Sequence, residues 1–276
     1  MIAPLSALLL AMQASPDFGP LTVGETANVS VLEAEREINV VLPQGYADNE
    51  DQTWPVVFMI DGGMQQDLML GVGIHNWNRL WGRSSEAIFV GIETKDRQRE
   101  LLPPTRDAEQ TERYPTAGQS AEFRRWLVDE IVPTITKRYR TSGQTYLVGE
   151  SAAGHFVVET WFDNPAAFSG YAAISPSLQW NFEGLSKAVA ADSDERPPIY
   201  LSLADEGGAL ASGVLRLVES LSKEHRWCFS DRRDDLRHSN VLHGLLPEAL
   251  QFLLPTDADW LEEFGFVLQC DRGGQL

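Results

Sequence analysis

Apolar and polar positions follow two rhythms along this chain. From Thr26 to Pro43 they alternate: Val29, Val31 and Leu32, a polar break at Glu33-Ala34-Glu35, then Ile38, Val40 and Val41. Period-two alternation across a polar break predicts an antiparallel hairpin or meander at a sheet edge. Further on the apolar stretches are continuous, at Pro55–Ile60, Ala87–Ile92, Thr145–Val148, Pro198–Leu203 and Trp227–Ser230. Short runs without alternation are those of strands buried on both faces, as in a parallel sheet. Between them the spacing turns helical. Phe123, Trp126, Leu127, Ile131 and Ile135 mark a helix within Glu122–Tyr139 that Pro133 breaks or kinks, and further helices are predicted over His155–Phe162, Leu210–Leu221 and Leu246–Leu254. Strands alternating with helices predict an α/β protein with a mostly parallel central sheet, helices on both faces and an N-terminal antiparallel edge.

Length leaves that picture undivided. A chain of 276 residues, 43% apolar, suits one α/β domain with a substantial core, placed at 21–276, since no linker-like tract or internal repeat interrupts it. Charge narrows the partners: 40 acidic against 22 basic residues give a formal charge of −18, a surface that repels nucleic acid and anionic membranes. No apolar run is long enough to span a bilayer. The segment from Met1 to Met12 could be the apolar region of a secretory signal with Ala14 before the cleavage point, although it carries no Lys or Arg. Residues 1–20 are therefore read as a candidate signal peptide or N-terminal extension, and the expected location is periplasmic or secreted, with cytoplasmic as the alternative. Cys228 and Cys270 lack metal-site or redox-motif spacing, and the sequence leaves a disulfide between them open. Neither a metal nor a nucleotide cofactor has a supporting motif.

The candidate chemistry lies where Thr145–Val148 stops at Gly149-Glu150-Ser151-Ala152-Ala153-Gly154 and a helical pattern begins. A serine at such a strand-to-helix turn has its hydroxyl pushed clear of the sheet, and the N–H of the next residue, Ala152, sits at a helix N-terminus, suited to stabilising an oxyanion. Small neighbours are needed for the close strand–helix approach, and here Ala153 stands where the G-x-S-x-G pattern has its last glycine.

From Gly149 to Phe156, and again from Phe168-Ser169-Gly170-Tyr171 through Ile174-Ser175-Pro176-Ser177-Leu178-Gln179-Trp180, the chain resembles the putative-esterase family of α/β-hydrolases, which includes siderophore esterases, feruloyl esterases and S-formylglutathione hydrolases. In the siderophore-esterase-like branch the nucleophile segment is commonly followed by "ISPSLWW", which makes Ile174–Leu178 the more specific half of the match. The likeness extends more thinly from about Gly24 to about Leu254. It implies an α/β-hydrolase fold and an ester hydrolase that needs no cofactor.

Other positions take expected roles from the same resemblance. Met59-Ile60-Asp61-Gly62 is similar to the family's "LLDG", which carries a second oxyanion donor to the backbone of Gly62, Gly63 or Met64, with Asp61 as an acceptor holding the loop. Asp96–Thr105 resembles the "RxRDLTPT" loop, where Arg97 and Arg99 would form ion pairs. The fold's chain order of serine, acid, histidine admits His225, His238 and His243 as base; His238, in the loop after the last predicted strand and similar in context to "HGSV", is preferred. By the same order the acid is Asp205 or Glu206, with Asp231, Asp234 and Asp235 as outside candidates. The aromatic-rich segment with His75, Trp77 and Trp81, together with Trp180, is expected near the mouth of the substrate pocket. The expected partner is a small-molecule ester, siderophore-type or another small acyl ester. Thioester hydrolysis, feruloyl esters and acyl transfer fit the same residues, and a non-catalytic ligand- or partner-binding relative is the rival from another class.

Overall fold

The computed structural model of the protein describes residues 19–191 and 195–275, so all but the last two positions of the candidate leader at 1–20 lie outside the described residues. The strands are β1 (Glu25–Val31), β2 (Ala34–Val41), β3 (Trp54–Ile60), β4 (Ile88–Ile92), β5 (Thr141–Glu150), β6 (Gly170–Ile174), β7 (Ile199–Leu203), β8 (Trp227–Asp231) and β9 (Arg272–Gly273). They form one sheet in the order β1-β2-β4-β3-β5-β6-β7-β8-β9. Pairing is parallel from β4 through β3, β5, β6 and β7 to β8, and antiparallel where β1 meets β2, β2 meets β4 and β8 meets β9. The helices are α1 (Leu68–Leu80), α2 (Arg97–Leu101), α3 (Ala108–Arg113), α4 (Ser120–Trp126), α5 (Val132–Arg138), α6 (Ala152–Asp163), α7 (Trp180–Ala190), α8 (Gly208–Ser220) and α9 (Val241–Leu253).

The continuous apolar runs have the expected cause. On β3, Val56, Phe58 and Ile60 face a layer that includes Phe123, Phe156 and Trp161, while Val57 and Met59 face one built from Leu68, Val72, Leu245 and Leu250. Each strand residue is thus withdrawn from water on whichever face it points to, worth about 1.5–3 kcal/mol per large side chain. Between α4 and α5 the helix widens to a π turn over Leu127–Ile131, and the Val132 N–H reaches Leu127 O. The next residue, Pro133, has no N–H to continue an ordinary ladder, and the wider turn absorbs that break without ending the helix. The last helix starts at Val241 rather than the expected Leu246. Val241, Leu242 and Leu245 extend the buried stripe of Leu246, Ala249, Leu250 and Leu253 by another turn, with Pro247 held inside it.

Cys228 of β8 and Cys270, just before β9, form a disulfide that ties the C-terminal segment to the sheet edge. With a sequence separation of 42, its removal is expected to cost about 4 kcal/mol through the freer unfolded chain. Urea titration of a Cys228→Ser/Cys270→Ser double variant reads this directly; a midpoint equal to wild type would show that the bridge contributes nothing to stability.

Candidate active site

The C-terminal ends of the adjacent strands β5, β6 and β7 meet the loop that precedes α9. Ser151 stands between β5 and α6 with φ 60° and ψ −118°, a backbone conformation that an L-residue holds only when its surroundings enforce it. The enforcement is visible. Its N–H donates to Ile174 O at 3.0 Å, and its carbonyl accepts from His155 N and Ser177 N, both at 2.9 Å. A Cβ on Gly149 would lie 2.7 Å from the Ala153 carbonyl oxygen and 2.9 Å from the Ala153 Cβ. The bare α-carbon at Gly149 therefore makes room for the methyl that replaces the motif's last glycine.

His238 Nε2 lies 3.0 Å from Ser151 Oγ. Its Nδ1 is hydrogen-bonded to Glu206 Oε1, and Ser175 Oγ donates to Glu206 Oε2. The order is set by strand ends. Ser175 follows β6 with φ 43°, its N–H donating to Ser202 Oγ at 3.2 Å and its hydroxyl accepting from Ala204 N at 3.3 Å, so it is clamped between β6 and β7. The Asp205 N–H donates to Leu236 O at 2.7 Å and fastens the acid's turn to the histidine's loop, where Asn240 Oδ1 accepts from Arg237 N at 2.7 Å. Asp205 itself is exposed and its carboxylate makes no hydrogen bond among the described residues; of the two acids left open by the sequence, Glu206 alone reaches the imidazole. Of the outside candidates, Asp231 is committed to Arg233 and Asp234 and Asp235 are exposed. His243 is exposed on α9.

The oxyanion candidates separate by counting donors. Gly62 N–H is spent on Ile92 O at 2.8 Å and Gly63 N–H on Gln66 Oε1 at 3.0 Å, whereas Met64 N–H has no partner among the described residues. Ala152 is the first residue of α6, so its N–H has no intrahelical acceptor. Of the candidate oxyanion donors, the N–H groups of Met64 and Ala152 are therefore the ones left without a protein acceptor among the described residues. Asp61, at φ 59°, accepts from Thr94 Oγ1 and pairs with Arg97 at 2.7 Å, which locks the loop after β3 to the loop after β4. Arg99 bonds to Gln119 and pairs with Glu33.

Three expected pocket residues are placed elsewhere. His75 is 5% exposed, its Nε2 accepts from Ala87 N–H, and burial pushes its pKa down to about 4. It is a neutral packing residue on the buried face of α1, not a substrate contact. Trp77 is exposed, but it lies nine residues into a helix that leaves the β3 loop, about 14 Å along the axis from Leu68. Its ring meets that of Trp81 edge-on at the far end of α1, so helix direction removes it from the site. Trp180 is 4% exposed, its Nε1 donating to Pro103 O at 2.8 Å and its ring against Tyr114. It anchors the loop after α2.

Two residues at the serine were not singled out as functional by sequence. Ser177 Oγ is 3.4 Å from Ser151 Oγ, and Glu150 Oε1 is 3.2 Å from His238 Nε2. The signal for both was position alone: Glu150 is the neighbour of the serine, and Ser177 follows the strand next to β5. Burial first, and then the nearby Asp67 and Asp61, push the Glu150 pKa up to about 7 against the opposing pull of His238 and Arg97. His238 is raised above the usual histidine value, chiefly by its bond to Glu206 and then by the Glu150 charge, with burial acting the other way. Among the described residues no group of His, Cys, Asp and Glu side chains converges to hold a metal, and no helix is long and apolar enough to cross a membrane.

Against known proteins, residues 29–240 match the family model described as putative esterase. Ferri-bacillibactin esterase BesA of Bacillus subtilis (strain 168) is 29% identical over 244 residues, covering 75% of this chain and 81% of BesA. Among solved structures, an IroE-like serine hydrolase from Shewanella oneidensis superposes with a TM-score of 0.71 at 20% identity, over 84% of this chain and 80% of that one. Siderophore hydrolase EstB from Aspergillus nidulans gives 0.71 at 17% identity, over 88% and 98%. These superpositions bear out the mostly parallel α/β-hydrolase fold with its antiparallel N-terminal edge.

Proposed function

This chain belongs to the putative esterase family and is a carboxylic ester hydrolase, and on that premise we propose that Ser151, His238 and Glu206 carry the reaction, on an ester of the siderophore type. The observation that carries the assignment is the unbroken relay from Ser151 Oγ through both nitrogens of His238 to Glu206. Glu206 holds the proton on Nδ1, which leaves the Nε2 lone pair facing the serine hydroxyl. Nε2 takes the hydroxyl proton as Oγ adds to the ester carbonyl, and the oxyanion that forms is met by the N–H groups of Ala152 and Met64. Collapse expels the alcohol, which receives the proton from Nε2. Water then repeats the sequence on the acyl-enzyme, losing its proton to Nε2, and the acid departs as Ser151 recovers its own. A fluorophosphonate probe followed by peptide mass spectrometry is expected to mark Ser151 alone; labelling at another serine, or none in enzyme that turns over esters, would refute the assignment.

The siderophore-type substrate is supported by the name of BesA and by an open site. His238 and Met64 are each 44% exposed, so the nucleophile faces a surface that a bulky ester can approach. Incubation with ferri-bacillibactin, read by mass for opened ester bonds against p-nitrophenyl butyrate as reference, tests it. We also propose export, which the apolar segment Met1–Met12 and the Cys228–Cys270 bridge support, because disulfides persist in oxidising compartments. Fractionation of cells expressing the full chain tests that.

The site predicts a direction for pH dependence. His238 acts as base only when neutral, and its pKa is raised, so the protonated, idle form persists to higher pH than for a free histidine. The acid limb of kcat/KM should lie above the ordinary value near 6.5 and activity should fall as pH drops through it. A profile with p-nitrophenyl butyrate from about pH 5 to about pH 9 measures this, and a limb at or below the ordinary value would contradict it.

A further inference from the structure

Glu150 has no part in the relay, yet its carboxylate shares His238 Nε2 with the nucleophile: Oε1 is 3.2 Å and Ser151 Oγ 3.0 Å from the same nitrogen. Given the assignment of Ser151 and His238, this position has a consequence for the substrate. The departing alcohol oxygen must come to Nε2 to collect its proton, so whatever touches Nε2 flanks the alcohol side of the scissile bond. We infer that Glu150 is a specificity-determining residue that selects esters whose alcohol carries a cationic group close to the ester oxygen and disfavours those carrying a carboxylate there.

The surrounding charges favour this reading. The nearest cation, Arg97, is bonded directly to Asp61 through two contacts, at 2.8 and 2.7 Å, and acts on Glu150 only at longer range, as a charge shared with that carboxylate. Glu206 is held by Nδ1 and Ser175 on the other side of the imidazole. Asp67, in the loop before α1, adds a further acidic group that is half-buried. The alcohol side is therefore lined by carboxylate, with its nearest positive charge already paired. The selection acts on the atoms next to the ester oxygen and not on charge carried elsewhere on a large substrate.

A matched series of butyrate esters tests it: 2-(trimethylammonio)ethyl, the isosteric neutral 3,3-dimethylbutyl, and a carboxylate-bearing alkyl ester, followed by pH-stat. In wild type at about pH 8.5, kcat/KM should favour the cationic over the neutral ester by about tenfold, with the anionic ester below both. Glu150→Gln, which keeps the shape and removes the charge, should bring the cationic-to-neutral ratio close to one. The wild type carries its own control, because the preference should shrink at about pH 6, where Glu150 is largely protonated. A wild-type ratio near one at the higher pH, a ratio that does not change with pH, or a preference retained in Glu150→Gln would each overturn the inference. Failure of the catalytic assignment is separately visible, since Ser151→Ala would then still hydrolyse the neutral ester.

Discussion

Replacing Ser151 with alanine is expected to lower kcat for p-nitrophenyl butyrate by about 10^5- to 10^6-fold, the scale on which removal of an activated serine abolishes acyl-enzyme formation. The physical reason is that nothing nearby can take over. Ser177 Oγ is only 3.4 Å from the nucleophile, but no contact joins it to His238 among the described residues, so no base activates it. The backbone of Ala152 and Met64 survives the substitution, and the residual rate would be that of an oxyanion site acting on water. Because alanine at a positive φ has no hydroxyl to compensate the strained turn, circular dichroism and thermal unfolding should accompany the assay. A folded Ser151→Ala enzyme within about tenfold of wild type would sink the covalent mechanism, since an activated nucleophile contributes far more.

The second large effect belongs to the acid. Glu206→Gln should lower kcat by about 10^3- to 10^4-fold, because the amide can donate to Nδ1 and favour the tautomer whose Nε2 carries the proton, and because the imidazolium loses its counter-charge. Asp205→Asn, one residue away, should stay close to wild type, since that side chain points to solvent and only its backbone N–H is engaged. The pair discriminates sharply. If Asp205→Asn proved the crippled variant, the relay would run through the other carboxylate. Ser175→Ala is an informative companion: it removes the donor that pins Glu206 Oε2 but leaves the charge, so it should act as a positioning defect much milder than Glu206→Gln.

These expectations rest unequally on sequence and on structure. The parallel core was legible in the sequence because β3 and its neighbours are buried on both faces, and burial on both faces writes itself as an unbroken apolar run. Ser151 and the loop of His238 were legible because a tight strand–helix turn demands small residues and because strand ends come in a fixed chain order. The choice between Asp205 and Glu206 was not legible. It depends on which side chain the Asp205–Leu236 backbone bond leaves facing the imidazole, a contact between segments more than thirty residues apart. His75, Trp77 and Trp180 were placed at the pocket on residue type, whereas helix direction and burial decide where an aromatic side chain ends up. The same holds for the backbone donor at Met64, which emerges only once the N–H groups of Gly62 and Gly63 are found already engaged.

The sequence by itself thus determined the mostly parallel architecture and the strand-to-helix turn at Ser151, since these follow from local periodicity and from a motif whose spacing is covalent, while the reaction class and the preference for His238 came with its resemblance to the esterase family. Tertiary structure alone decided which carboxylate meets His238 Nδ1, which backbone N–H groups after β3 are already engaged, the Cys228–Cys270 bridge and the carboxylate of Glu150 beside Nε2. Each of those is a distance between groups remote in the chain or a competition for one hydrogen-bond partner, and neither quantity exists until the strand ends are brought together.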